Sequence, residues 1–468
     1  MTERLVVVGA DAAGMAAASQ ARRRRTADEL AITAFDRGEH TSYSACGIPY
    51  WVSGVVPDMA SLVVRTPAEH AANGIDVHTG TEVIGVDLDR RVVHARSHGD
   101  SPGGAREWAE PFDTLVLATG SIPMRPPVDG IDAPNVLGVQ VLDDGLALRA
   151  ELDSGRVRRV VVVGGGYIGL EIAEAMRVRE LEVTVVDRSP QPIGTFDPDI
   201  GDRVAEAVRA MGITMVLGDG VAAIETGPDG RAVAVHTASG QVLPADLVVL
   251  GLGVRPAVGL ARDAGVPLGT SGGIAVDQQM RTQAPGVWAA GDCVESLHRL
   301  SGQRVVVALG THANKQGRVA GINIGGGYAV FPGVIGTAVT KVCSLEVART
   351  GLSEQECREA GYAFVTTAVD STTRAGYFPG AEPIRVKMIA EKRSGRLLGA
   401  QIVGREGAAK RIDVLSTAIW NTMTVDEILS LDLGYAPPFA PVWDPVLVAA
   451  RKAFDAVEAD VVRHGSSR

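Results

Sequence analysis

Two stretches of this chain are built alike: a short apolar run, a glycine-spaced turn, a helix-forming segment, a second apolar run and an aspartate. In the first, Leu5 to Val8 leads into GADAAG (Gly9 to Gly14), an alanine-rich helix and then Ile32 to Phe35, ending at Asp36. In the second, Val160 to Val163 leads into GGGYIG (Gly164 to Gly169), a helix from Leu170 and then Val183 to Val186, ending at Asp187. Such a turn lets backbone amides approach a pyrophosphate at a helix N-terminus, and an acid about 20 residues on accepts hydrogen bonds from a ribose. Two of them in one chain predict an α/β protein with two Rossmann-like dinucleotide-binding domains. Contacts to the nucleotides are expected from Gly9, Ala12, Ala13, Gly14 and Asp36 in the first, and from Gly164, Gly166, Ile168, Gly169 and Asp187 in the second.

The first turn departs from the pattern, because Asp11 stands where the middle glycine belongs. Its carboxylate has to point away from the phosphates or be offset by neighbouring donors. Two further segments separate flavin from nicotinamide. Thr114 to Leu117 runs into ATGSIP, with Ala118, Thr119 and Gly120 at the strand end, and Gly286 to Ala290 runs into GDC, with Gly291 and Asp292. A strand ending in Gly-Asp puts Asp292 where a ribityl chain can donate to it. On the other nucleotide, Asp187 favours NADH by repelling an added ribose phosphate, while Arg188 beside it can accommodate that of NADPH.

Between the first aspartate and the rest of that unit lies SYSACGIPYW, and no second cysteine stands near its Cys46. The four cysteines, Cys46, Cys293, Cys343 and Cys357, show no CxxC or other metal spacing, so no metal site is expected and the last three read as structural. A lone cysteine tied to a flavin must exchange electrons with an outside thiol or with oxygen chemistry at its own sulfur. CGIP opens a helix on this reading, whose N-terminal field would lower the thiol pKa. At 468 residues the chain has room for about three domains. No apolar run reaches a membrane span, no signal peptide is evident, and a net charge of −10 argues against a nucleic-acid partner, so a cytoplasmic protein is expected. The four arginines Arg22 to Arg25 form either a solvated helix face or an anion patch.

From GADAAG through SYSACGIPYW, ATGSIP, GGGYIGLE, AAGDC and THANKQGRVAG to GYAPPFAPVWDPV, nearly the whole chain resembles the pyridine nucleotide-disulfide oxidoreductases. The resemblance implies a discontinuous FAD domain (1–118 and 265–330), an NAD(P)H domain (119–264) and an α+β dimerisation domain (331–450), and the remaining residues 451–468 read as a helical tail with a polar HGSSR end. It also implies that Tyr167 covers the nicotinamide pocket and that Gly253 serves the cofactor sites. Glu171 is either a carboxylate beside the flavin or a plain helix-face glutamate. Of the family's branches, the CxxxxC disulfide reductases are excluded because Trp51 stands five residues after Cys46. The single-cysteine oxidases and peroxidases carry a histidine where this chain has Ala12. The chain is most similar to the single-cysteine coenzyme A-disulfide reductases. That likeness implies that Gln20, Arg23 and Ser42 hold a coenzyme A arm and that Tyr377 and Tyr435 reach Cys46 of the opposite subunit in a homodimer.

The expected activity is reduction of a low-molecular-weight disulfide, coenzyme A disulfide or a related persulfide or polysulfide, by NADH or NADPH through FAD. Cys46 forms the mixed disulfide and Tyr435 protonates the departing thiolate. Two other activities compete: an NADH oxidase or peroxidase working through a Cys46 sulfenic acid, and an electron-transfer reductase for a partner protein.

Overall fold

A computed structural model describes residues 2–98 and 105–465. Five parallel strands form the first sheet, in the order Val287–Ala289, Thr114–Leu117, Glu3–Val8, Leu30–Phe35 and Asp76–His78. Five more form the second, in the order Thr214–Leu217, Glu182–Asp187, Arg159–Val163, Leu247–Leu250 and Val136–Gly138. The central runs are apolar throughout because helices and loops cover both faces: Leu5, Val7, Leu115 and Val162 have no exposed surface. In each sheet the strand before the glycine turn lies between its sequence successor and a strand returning from further on. Ligand crevices form at such a switch point, beyond the strand C-termini.

The likeness of the two units extends past their turns. Each carries a three-stranded antiparallel meander before its returning strand, Thr81–Asp87, Val92–Ser97 and Glu107–Pro111 in the first and Val221–Thr226, Ala232–Thr237 and Val242–Pro244 in the second. The chain crosses between the units through Ser121–Pro123 and Val254–Pro256, which pair as an antiparallel ribbon.

A third unit has a five-stranded antiparallel sheet, Ala338–Val342, Leu345–Gly351, Leu397–Gly404, Pro383–Glu391 and Phe364–Thr372 in spatial order. The Ile412–Trp420 and Pro445–Gly465 helices share its core. Two expectations about helices need correction. The second nucleotide helix starts at Tyr167, three residues before Leu170, because Gly166 already takes the extended N-cap conformation. Residues from Arg451 are helical as expected but not a separate tail: they continue the Pro445–Gly465 helix, with Ala453 and Val457 buried and Lys392 paired to Asp460. The last residues of the polar HGSSR end, Ser466 to Arg468, lie outside the described residues.

Candidate active site

The two turns share one geometry. Gly9 and Gly164 N–H groups donate to the carbonyls of Phe35 and Val186, both at 2.8 Å. The next amides, of Ala10 and Gly165, donate to Oδ2 of Asp36 (2.8 Å) and Asp187 (2.5 Å). Oδ1 of the same acids takes the amides of Gly38 (2.9 Å) and Ser189 (2.7 Å). A Cβ at Gly14 or Gly169 would come within 1.9 Å of the carbonyl oxygen of Gly9 or Gly164, so only glycine lets helix and turn meet. Ala118 and Gly251 hold equivalent places, each donating to the strand residue before its turn, Val8 (2.8 Å) and Val163 (2.7 Å). Gly251 was missed from sequence, although it follows Leu247–Leu250 as Ala118 follows Thr114–Leu117.

A dinucleotide fits these turns. No atom lies within 4 Å of a Cβ built at Gly166 or Gly120, leaving open ground before the helix and strand ends. Neither turn helix has a side-chain cap, so its first amides remain available. Burial raises the pKa of Asp36 and Asp292, which accept from backbone amides and from Ser121 Oγ (3.0 Å). Such acceptor-rich, half-dry carboxylates suit the hydroxyls of a ribose or ribityl chain. Asp11 turns its Oδ1 to the Tyr43 amide at 3.3 Å. Burial, then the neighbouring charge of Asp36, pushes its pKa up to about 6, so the carboxyl is readily neutralised there.

Cys46 stands between the two units, exposed, in a single 3₁₀ turn (Ala45–Gly47). The Ile48–Ser53 helix that follows is only six residues long, and the predicted lowering of the thiol pKa does not occur. Desolvation of its inner flank and then the charge of Glu171 from the second unit raise it instead, against an opposing backbone hydrogen bond and with a lesser push from Asp292 of the first unit. Glu171 accepts from Thr340 Oγ1 at 2.8 Å, and burial raises its pKa too. It is therefore part of the Cys46 surroundings, not a solvated helix-face residue. Tyr50, Thr340, Ser121 and Gln140, whose Nε2 donates to Ser121 Oγ at 3.1 Å, also belong to this neighbourhood and were not found from sequence. Removing the Glu171 charge should lower the Cys46 pKa. In Glu171→Gln the iodoacetamide alkylation rate at pH 7.5 is expected to rise, by about tenfold for each unit the pKa falls, and its pH profile to move to lower pH. An unchanged profile would mean that Glu171 does not act on the sulfur.

The other cysteines differ. Cys293 is fully buried with Sγ against the carbonyls of Leu117 and Ala290; Cys357 is buried, its pKa pushed up to about 12 by burial and nearby acids; burial pushes Cys343 to about 11. Ser42 (φ 52°) is bonded through Oγ to Nε2 of buried His70 at 2.9 Å, and Gln20 Oε1 accepts from Arg24 at 3.1 Å. The arginine run is mostly structural. Arg22 donates to the carbonyls of Gly74, Arg25 and Leu30, and Arg25 pairs with Glu3, leaving Arg23 exposed toward solvent.

Ala12 and Ala13 open the first helix, and Ile168 lies exposed on the second. Tyr167 is half-buried beside it, its hydroxyl 3.1 Å from Thr195 Oγ1, while Arg188 is exposed. Thr119 Oγ1 donates to the Ala257 carbonyl at 2.7 Å, and Gly253 (φ 83°) takes the amide of Met124 at 3.0 Å, which ties both to the ribbon between the units. The Gly291 (φ 92°) amide donates to Gln316 Oε1 at 2.8 Å. Within one chain, Tyr377 and Tyr435 do not join Cys46. They neighbour each other on the third unit, 78% and 48% exposed, on a surface that also bares Phe439, Val442 and Trp443.

Known proteins resemble this chain along most of its length. The family model described as "Pyridine nucleotide-disulphide oxidoreductase" matches residues 3–317, and that of the family's dimerisation domain matches 337–445. The chain is 38% identical over 450 residues to an NAD(P)H sulfur oxidoreductase (CoA-dependent) of Pyrococcus furiosus, covering 96% of this chain and 98% of that protein. Among solved structures, an NAD-dependent persulfide reductase from A. fulgidus superposes with a TM-score of 0.92 at 39% identity, over 97% of this chain and 84% of that one. The reduced Bacillus anthracis CoADR-RHD gives 0.93 at 32% identity, over 98% and 81%. The chain belongs to the pyridine nucleotide-disulphide oxidoreductases, which depend on FAD and use NAD(P)H.

Proposed function

We propose that this protein reduces a small disulfide, persulfide or polysulfide, coenzyme A disulfide foremost, with electrons from NADH or NADPH. The observation that carries the reading is Cys46, an exposed sulfur in a 3₁₀ turn that feels the charges of Glu171 of the second nucleotide unit and Asp292 of the first. On this reading Gly9, Ala12, Ala13, Gly14, Asp36, Ala118, Thr119, Gly120, Gly291 and Asp292 hold FAD. Gly164, Gly166, Tyr167, Ile168, Gly169, Asp187, Arg188 and Gly253 serve the nicotinamide nucleotide. The domain limits follow as 1–118 with 265–330, 119–264 and 331–450, the last now extended through the terminal helix.

Bound FAD supplies a two-electron relay between a pyridine nucleotide and a sulfur. Asp36 and Asp187 orient ribose hydroxyls, and the turn amides take the pyrophosphates. The Cys46 thiolate attacks one sulfur of the substrate, its S–S bond breaks, and the first thiolate leaves with a proton. The single electron pair the reaction consumes, drawn from NADH or NADPH, then cleaves the mixed disulfide, which frees the second thiolate and restores the Cys46 thiolate. Tyr435, with Tyr377 against it, donates the proton from the opposite subunit of a cytoplasmic homodimer. The bared aromatic surface around these tyrosines supports a second copy there. Arg23, Gln20 and Ser42 line the mouth for a phosphate-bearing arm.

A panel of low-molecular-weight disulfides, persulfide and polysulfide, assayed anaerobically with NADH, tests this. Turnover is expected with at least one coenzyme A-containing or sulfane-sulfur substrate. Turnover with none, beside rapid NADH-driven reduction of oxygen, would reject the reading.

A further inference from the structure

Segment 193–199 runs over the second turn and is pinned from two sides. Toward the turn, the Ile193 amide donates to the Gly165 carbonyl at 2.8 Å, and Thr195 Oγ1 lies 3.1 Å from the Tyr167 hydroxyl. The rings of Tyr167 and Phe196 approach with centroids 6.3 Å apart. From the third unit, Arg349 donates to the Thr195 carbonyl and pairs with Glu356 at 2.5 Å. Gln401 accepts from the Asp197 amide at 2.9 Å and donates to Asp197 Oδ2 at 2.8 Å, and the Glu354 amide donates to Oδ1 at 3.0 Å. Lys387 Nζ reaches Asp197 (3.0 Å), Asp199 (2.6 Å) and Glu354 (2.9 Å). Lys387, Arg349, Gln401 and Asp197 are all buried.

Apolar residues would join two units at least as firmly, since taking ions out of water costs what their attraction returns. A satisfied ionic cluster does fix one geometry, because each partner has a single place. The segment it fixes holds Ile193 at φ 48°, a left-handed conformation that a β-branched residue keeps only where its surroundings impose it. The imposed shape ends on the hydroxyl and ring of Tyr167.

We propose that Arg349 and Lys387 are positioning residues for the pyridine nucleotide: the third unit sets the 193–197 segment and, through Thr195, the orientation of the Tyr167 ring. The inference rests on the reading of Tyr167 as flanking the nicotinamide.

The test is a double-mutant cycle on the FAD-loaded enzyme, read as the Kd for NAD⁺ by titration calorimetry, with thermal midpoints recorded alongside. Arg349→Met is expected to weaken NAD⁺ about tenfold, the scale of a small misplacement of a contact group. Arg349→Lys should recover part of that loss. In the Tyr167→Phe background, where the Thr195 link is already gone, Arg349→Met should change Kd by less than about twofold. Lys387→Met replaces it in the same cycle if Arg349→Met does not fold. An equal factor in both backgrounds, or no change in either, overturns the inference. Should Tyr167→Ala leave NAD⁺ affinity untouched, the reading of Tyr167 falls and the inference with it; should only the Arg349 effect be missing, the inference falls alone.

Discussion

Cys46→Ser is expected to lose at least about 10³-fold in disulfide turnover while still being reduced by NADH, because the exchange step needs a sulfur nucleophile and the nucleotide turns do not. The serine hydroxyl is nearly isosteric with the thiol but stays protonated at neutral pH. The residue is exposed in a short 3₁₀ turn, so the substitution leaves the core intact. Stopped-flow reduction of the bound flavin by NADH, followed by addition of the disulfide, separates the two halves. Full disulfide turnover by the variant would move the chemistry away from this sulfur, to a protein acceptor or to the flavin edge.

Gly169→Ala should weaken NAD(P)H binding by roughly 100-fold or more while FAD is retained. The added Cβ would sit 1.9 Å from the Gly164 carbonyl oxygen. That neighbour is backbone and cannot swing aside, so helix and turn must separate. Overpacking of this kind costs about 1–3 kcal/mol or more, and the site has no slack to share it. Because the first unit has its own turn, flavin content at purification should be unchanged. A variant that binds NADH normally would contradict the close approach. Loss of both cofactors would mean that the two units do not fold independently around their turns.

The backbone frame of these two turns was legible from sequence because glycine spacing, flanking apolar runs and a terminal acid each report the same local geometry. Gly9 and Gly164, and Asp36 and Asp187, have the same hydrogen-bond partners, residue for residue. The electrostatics of Cys46 were not legible. Its position near a helix start suggested a lowered pKa, but burial raises it, helped by the acids Glu171 and Asp292, which come from helix and strand ends 125 and more residues away in the chain. The Ser42 to His70 bond and the Thr340 to Glu171 bond likewise join residues with no shared local pattern. Arg22 to Arg25 left a solvated helix face and an anion patch both open in the sequence, and in the fold three of the four are engaged with neighbouring groups. Tyr377 and Tyr435 were singled out only through family likeness, and a single chain leaves them on its surface.

The central claim is that one sulfur, Cys46, carries the substrate. Peptide mass spectrometry of the FAD-loaded protein after exposure to coenzyme A disulfide tests it most directly. A single thiol adduct per chain on the peptide holding Cys46, cleared by anaerobic NADH, is the result expected. An adduct on Cys343, or no adduct with Cys46 found only as its oxygen acids, would contradict it.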